Sequence, residues 1–160
     1  STYHGAIAHS HQDEAMYFAH GGNWVRLANQ SDVQVSSRQS FTQTTGSLAN
    51  NASAYPTFVA YKSYLILKVE TDKAAWVRFY TTTAARNADV NRPIDEDPAP
   101  GSGVLAEIVT TGAQTQLLTP ATIGFNDDSP VATNVYMSVT NRSGTTGTVT
   151  VTVDLLKLES

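Results

Sequence analysis

Two histidines separated by a single residue are the clearest candidates for chemistry in this chain. His9 and His11 lie in a region that holds all four histidines of the protein. Alternate residues of a β-strand point to the same face of a sheet, so the spacing predicts two neighbouring imidazoles, and imidazole is a good ligand for iron, nickel and zinc. The alternative is that both are ordinary polar residues near a turn, packed against Tyr17 and Trp24.

Three short apolar runs position these histidines. Polar turns at residues 12–14 and 21–23 separate the runs, and turn residues between β-prone runs are typical of a three-stranded meander over residues 1–30. Such a small meander is only marginally stable alone in water. We therefore expect it to dock on the rest of the chain or on copies of itself. Trp24 is predicted to be a buried structural anchor covering the strand of Met16 and Phe18.

The order of residues in this region also carries a family resemblance. Gly-Ala-Ile-Ala-His-Ser-His is followed by Ala-Met-Tyr-Phe-Ala-His-Gly-Gly-Asn-Trp-Val-Arg-Leu-Ala-Asn. Over residues 5–31 this resembles a short module in virion structural proteins of tailed phages, especially those that infect cyanobacteria. The resemblance implies a virion component, on a fibre, an appendage or the capsid surface, that forms homo-oligomers and contacts other virion proteins.

Within that resemblance, His-x-His pairs of trimeric phage fibre and spike tips suggest a role for His9 and His11. Three chains around a threefold axis would bring six imidazoles together, an octahedral set suited to a divalent metal such as iron or nickel. We expect a trimer, with these two residues as shared metal ligands. His4 and His20 are predicted not to be ligands, and no other cofactor is expected.

The amino-acid composition excludes several other classes of protein. The 160 residues contain no cysteine, which excludes disulfides and thiol nucleophiles and fits assembly in the host cytoplasm. The net charge of −4 and the scattered basic residues give no footprint for nucleic acid. No apolar run approaches the roughly 20 residues that span a bilayer, and no signal peptide is recognisable at the start. Low charge and abundant Thr and Ser favour an all-β structural protein, and the resemblance implies that this protein is located in the virion.

The stretch over residues 31–54 is polar, with few apolar anchors. It predicts a connector or extended arm. The alternative is an edge strand around Val33–Val35 and Phe41 that joins the meander to the main body.

Residues 55–160 predict an antiparallel, jelly-roll-like β-sandwich, with about seven strands and frequent turns. Along 61–71, Leu65, Leu67 and Val69 are expected on one face of a strand. In the last strand, valines alternate with threonines. The segments Trp76–Tyr80, 97–104 and 123–126 also resemble a β-sandwich domain that recurs in phage structural proteins. The fold class is therefore all-β: an N-terminal meander, then a sandwich.

Other candidate sites are weaker. Trp76 and Trp24 are structural anchors in the preferred interpretation and a sugar-stacking platform in the alternative. Acidic loop residues invite a calcium hypothesis, but they lack ordered ligand spacing, and solvated loops are the default. The segment 101–103 lacks the Gly-x-Ser-x-Gly of a nucleophile elbow. The acidic residues concerned are Asp95, Glu96, Asp97, Asp127 and Asp128.

These observations predict a non-enzymatic structural subunit of a tailed-phage virion. The first alternative is a carbohydrate-binding module that contacts a glycan of the host surface. The second is a polysaccharide-cleaving tailspike, which is disfavoured because 160 residues are too few for the long β-helix that such enzymes usually need. A membrane partner is not expected.

Overall fold

The computed structural model describes residues 4–28 and 37–160, and these are almost entirely β. The chain divides into two compact units, with the boundary between Val35 and Ser36. Each unit is built from antiparallel strands. The prediction of an all-β chain with a meander followed by a β-sandwich is confirmed.

The first unit is a three-stranded sheet in the order β1-β2-β3. Its strands are β1 (Ile7–Ser10), β2 (Ala15–His20) and β3 (Asn23–Arg26). His20 pairs with Asn23, which leaves Gly21 and Gly22 as a two-residue hairpin loop. Both glycines have positive φ angles, of 57° and 80°, and tight hairpin turns with this backbone favour glycine because it has no Cβ.

The second unit is a sandwich of two sheets and one short helix, α1 (Thr83–Ala88). Its strands are β4 (Arg38–Thr44), β5 (Ser53–Ala54), β6 (Thr57–Val59), β7 (Ser63–Thr71), β8 (Ala75–Tyr80), β9 (Val104–Thr110), β10 (Gln114–Phe125), β11 (Asn134–Asn141) and β12 (Thr150–Glu159).

The order of these strands is that of a jelly roll. The first sheet runs β10-β7-β12-β4, and the second runs β5-β11-β8-β9 with β6 also paired to β11. The chain crosses repeatedly from one sheet to the other, as the interleaved Greek keys of a jelly roll require. The jelly-roll-like architecture predicted for the C-terminal region is confirmed.

The core lies between the two sheets. Val149, Val151, Val153 and Leu155 are fully buried, so the alternation predicted for the last strand is confirmed. They pack against buried residues of the facing sheet, including Phe79 of β8. Side chains from both inner faces thus form one apolar layer, as in other sandwiches.

The alternation predicted for β7 is wrong, because a β-bulge interrupts it. Lys68 pairs with Asp154 and Ile66 pairs with Leu155, which leaves Leu67 without a partner on β12. An extra residue on one strand reverses which side chains face inward. Ile66 and Val69 are therefore both fully buried, although they are three residues apart.

The connector predicted over 31–54 also needs correction. Residues 38–44 form β4, an edge strand paired with β12, and β5 lies at 53–54. This is the edge-strand alternative, and Phe41 belongs to it, in contact with Phe58 at 5.3 Å between ring centroids. The physical reason is that one partly buried aromatic side chain, packed against the core, suffices on an edge strand whose other face is solvated. Val33–Val35 lie outside the described residues.

Hydroxyl groups fill the solvated face of β4. Thr42 and Thr152 hydroxyls are 2.9 Å apart, and those of Thr44 and Thr150 are 3.1 Å apart. The Ser40 hydroxyl donates to Asp154 at 2.6 Å. We refer to these three cross-strand pairs as the hydroxyl ladder. The polar composition that suggested a linker is therefore the outer surface of a strand.

Candidate functional site

One face of the meander presents large apolar side chains to solvent. Residues paired directly across antiparallel strands lie on the same face, and Ile7 pairs with Phe18, which pairs with Val25. Met16 pairs with His9 in the adjacent row. Ile7 is 65% exposed, Val25 40% and Met16 38%. We call this set, Ile7, His9, Met16, Phe18 and Val25, the apolar face of the meander.

The opposite face of the meander contains Trp24, so the predicted position of this residue is wrong. Trp24 pairs with Ala19, and neighbouring residues of a strand face opposite ways, which puts the indole on the side away from Met16 and Phe18. It is 52% exposed rather than buried. The residues that are buried here are small, namely Ala15 and Ala19.

A shallow groove runs beside Trp24. It has a volume of about 240 Å³ and is lined by Ala8, His9, Ser10, Tyr17 and Trp24. The Tyr17 hydroxyl donates to Asp13 at 2.8 Å, and this hydrogen bond raises the pKa of the phenol. The groove thus combines two aromatic rings with polar groups, which is a usual combination in small-ligand sites.

His9 and His11 lie close together, although only His9 is in a strand. β1 ends at Ser10, so His11 belongs to the turn and not to the same strand face, which corrects the prediction. The ring centroids are 4.7 Å apart and the rings are nearly perpendicular. The two imidazoles are therefore neighbours in an edge-to-face contact.

In the part of the chain that the structure describes, metal ligands beyond this pair are not grouped. Among residues 4–28 and 37–160, no cluster of three or more His, Asp or Glu side chains is placed to hold a metal. His4 and His20 form a separate pair, 5.1 Å between ring centroids. His20 lies four residues along β2 from the partner of His9, about 13 Å at the rise of a strand. A complete metal site at His9 and His11 would need ligands from other chains or from water.

Trp76 lies in a different environment, on the outer face of the second sheet. It is only 4% exposed. The Arg78 guanidinium stacks 3.7 Å from the ring centroid, with Arg92 at 5.1 Å, and the indole N–H donates to Glu107 at 3.3 Å. Covered in this way, Trp76 suits the predicted role of structural anchor and offers no open ring face to a sugar.

The arginines above Trp76 belong to a buried ionic network centred on Asp89. The Asp89 carboxylate accepts hydrogen bonds from Arg78 at 2.7 Å, from Arg92 at 2.6 Å and from the Tyr80 hydroxyl at 2.8 Å. Burial alone would raise the pKa of Asp89, but the hydrogen bonds from Arg92 and Tyr80 and the two positive charges lower it overall. Arg92 also pairs with Glu107. We call these five residues the Asp89 network.

Sequence reasoning missed the Asp89 network. The signal was the alternation along β8, which puts Trp76, Arg78 and Tyr80 on the face opposite the core. All six residues of β8 are nevertheless buried, because α1 and the segment after it cover that outer face. Arg78, placed between Trp76 and Tyr80 on a central strand, was therefore the sign in the sequence that a second layer covers the outer face of β8.

The other candidates from the sequence do not assemble into a site. Asp95, Glu96 and Asp97 are exposed. Asp128 is held by hydrogen bonds from Tyr136 at 2.6 Å and from Asn126 at 3.0 Å, so it organises its own loop. Within the described residues, the calcium hypothesis gains no cluster of carboxylates.

Comparison with known protein families and with curated proteins finds no match to this chain. The resemblance of residues 5–31 to phage virion proteins therefore stays a prediction. In the described parts of the chain, no helix is long and apolar enough to cross a bilayer.

Proposed function

We propose that this chain is a non-enzymatic structural subunit of a tailed-phage virion, in a fibre, an appendage or the capsid decoration. The jelly roll is its rigid body, and the meander joins it to identical chains. The observation that carries the proposal is the exposed apolar face of the meander, next to a pair of histidines. The resemblance of residues 5–31 to virion proteins supplies the biological setting.

The energetics of the meander favour assembly. Its buried side chains are alanines, whereas Ile7, Met16 and Val25 remain exposed. Burying one such large side chain stabilises a structure by about 1.5–3 kcal/mol. Covering the apolar face with the same face of other copies would therefore stabilise a sheet that is marginal alone. Closed symmetry is the usual outcome for identical subunits, and we favour a trimer.

The assembly proposal can be tested by introducing one charged residue. Val25→Asp puts a carboxylate in the middle of the apolar face, and Val131→Asp is the matched control, because Val131 is a similarly exposed valine in the jelly roll. By light scattering, we expect trimers for the wild-type protein and for Val131→Asp, and monomers for Val25→Asp. An unchanged mass for Val25→Asp, or a monomeric wild-type protein at micromolar concentration, would contradict the assembly role.

The virion setting has its own test. Gold-labelled antibodies against the jelly roll should decorate particles of the phage that encodes the chain, at one defined position. Mass spectrometry of purified particles should also detect the chain at a copy number divisible by that of the oligomer. Particles that contain neither label nor peptide would refute the virion role and leave the assembly result untouched.

A divalent metal shared by His9 and His11 of three chains completes the proposal. Elemental analysis of the untagged oligomer should find about one metal ion per three chains, because six imidazoles fill one octahedral site. Chelator should lower the melting temperature of the oligomer, and the double variant His9→Ala/His11→Ala should melt at that lower temperature with or without chelator. Absence of metal, or no effect of the chelator, would leave the two histidines as ordinary polar residues.

A second candidate function, binding of a host glycan, is favoured by the exposure of Trp24. Its indole lines the groove with Tyr17, and aromatic faces of this kind stack on sugar rings. A glycan array should show binding that Trp24→Ala abolishes and Tyr55→Ala, at an exposed aromatic residue of the jelly roll, leaves intact. Equal signals from both variants would exclude the groove as the glycan site.

A further inference from the structure

A small cavity opens on the outer face of the second sheet, beside the Asp89 network. Its volume is about 180 Å³. Ser53 of β5 pairs with Thr140 of β11, which pairs with Trp76 of β8, so these three side chains form a row across neighbouring strands. All three line the cavity. Its floor is therefore formed by three adjacent strands of the second sheet.

Three arginines line this cavity, and no acidic residue does. Arg78, Arg92 and Arg142 all contribute to the wall. The carboxylates that pair with two of them, Asp89 and Glu107, lie outside the lining, and the Arg142 guanidinium donates to the neutral Asn51 amide oxygen, at 2.8 Å. Three guanidinium groups against two carboxylates leave an excess of positive charge. The cavity is thus electrostatically suited to an anion.

One donor of the arginine wall is buried and unpaired. Arg78 is 1% exposed, and its Nε–H has no hydrogen-bond partner among the described residues. In a guanidinium, Nε–H lies on the same edge as Nη2, which donates to Ser138 of β11 at 3.0 Å. This edge therefore faces the strand that also carries Thr140. An unpaired buried donor is destabilising, so the protein does not fully satisfy the hydrogen-bonding capacity of Arg78.

The hydroxyl groups of the floor suit the same ligand. Ser53 and Thr140 hydroxyls are 2.7 Å apart, and either can be the donor. One hydrogen joins them, so the other remains available to donate outward. Arginine recognises carboxylate, sulfate and phosphate groups with two parallel hydrogen bonds. The cavity is too small for a whole oligosaccharide but large enough for one such group.

We propose that this arginine-lined cavity is a binding site for a single oxyanion group, a carboxylate, sulfate or phosphate. The group is either a free ion or the acidic substituent of a sugar. Arg142 and the free hydroxyl of the floor contact it from the open side, and the Arg78 and Arg92 guanidinium groups in the wall add positive charge. The site is built entirely within the jelly roll and does not depend on the proposed assembly through the meander.

Calorimetry on the full chain tests the proposal with sodium sulfate, sodium phosphate and sodium glucuronate as probes, and with glucose as the neutral control. We expect one binding site per chain for the anions and none for glucose. Tighter binding of glucuronate than of sulfate would assign the site to an acidic sugar, and equal binding would assign it to the oxyanion group alone. Absence of heat with all three anions at about 10 mM, which corresponds to binding weaker than most specific sites, would overturn the proposal.

Variants distinguish this cavity from general attraction to a basic surface. Arg142→Gln should weaken anion binding at least about tenfold, because it removes an exposed charge-assisted donor, and Ser53→Ala should weaken it without changing the charge. Lys62→Gln removes an exposed charge elsewhere and should bind like the wild-type protein. Circular dichroism and melting curves check that each variant is folded. Equal affinity of Arg142→Gln and Lys62→Gln would refute the assignment.

Discussion

The meander and the jelly roll use their large side chains in opposite ways. In the meander, alanines are buried and Ile7, Met16 and Trp24 are exposed, whereas the jelly roll buries its large apolar residues between two sheets. Both units are built from antiparallel strand pairs. Backbone pairing therefore defines the shape of each unit, but side-chain burial decides whether that shape is stable without a partner.

The same contrast between exposed and buried large side chains is seen at the two tryptophans. Each lies in a strand of an antiparallel sheet, yet Trp24 is 52% exposed and Trp76 is 4% exposed. The difference is the layer above: α1 and the segment after it cover β8. A strand in a thin sheet leaves one of its faces to solvent or to another chain, while a covered central strand buries both.

The largest test of this comparison targets the layer over β8. Asp89→Ala removes the carboxylate that pairs Arg78 and Arg92, and removing one partner of a buried ion pair costs about 3–5 kcal/mol. We expect urea denaturation of the jelly roll to show a loss of this size. Asp95→Ala is the control, because that carboxylate is exposed in the loop after α1. Equal stability of the two variants would mean that the Asp89 network contributes little.

The next largest change in stability is expected from truncating the two tryptophans in turn. Trp76→Ala should cost the jelly roll about 3 kcal/mol, the low end of the range for aromatic truncation, because the outer layer can partly collapse onto the gap. Trp24→Ala should leave the unfolding of the jelly roll unchanged, because the two residues belong to separate compact units. Comparable losses for both variants would break the distinction between the two units.

Lowering the pH should have a smaller effect on the stability of the jelly roll. The pKa of Asp89 is lower in the folded protein than in the unfolded chain, where it is about 3.9. The stability that this shift provides is therefore fully present above about pH 4 and is lost as the pH falls through the folded value. The free energy of unfolding of the jelly roll should decrease below pH 4, with a shallower slope for Asp89→Asn. An identical slope would show that other carboxylates carry the acid response.

Much of the fold followed from local patterns. The alternation of valine and threonine near the C-terminus predicted a buried and an exposed face, because a lone strand pattern reports which side faces the core. The bulge at Leu67 could not be predicted in this way, since an extra residue depends on pairing with distant strands. The edge strand at Phe41 was hidden by its polar neighbours, which is what an exposed strand face looks like in sequence.

The candidate site was less predictable. The two imidazoles of His9 and His11 are neighbours as predicted, but through the turn that contains His11 and not through a shared strand face. The side on which Trp24 lies depended on register, which a shift of one residue reverses. The Asp89 network and the cavity beside it join residues from β5 to β11 through tertiary packing alone. No local spacing relates Arg78 to Arg142 or to Ser53.

The hydroxyl ladder has a consequence for the solution conditions that the protein tolerates. Dissolved ions screen attractions between surface charges, but they hardly affect hydrogen bonds between neutral groups. On the outer face of the sheet, the side chains of β4 and β12 are linked by hydrogen bonds between Thr42 and Thr152 and between Thr44 and Thr150. Many sheets place pairs of oppositely charged residues at such positions. We therefore expect the two threonine pairs to lose little strength between low and high salt, whereas the Ser40–Asp154 pair of the ladder includes a charged group.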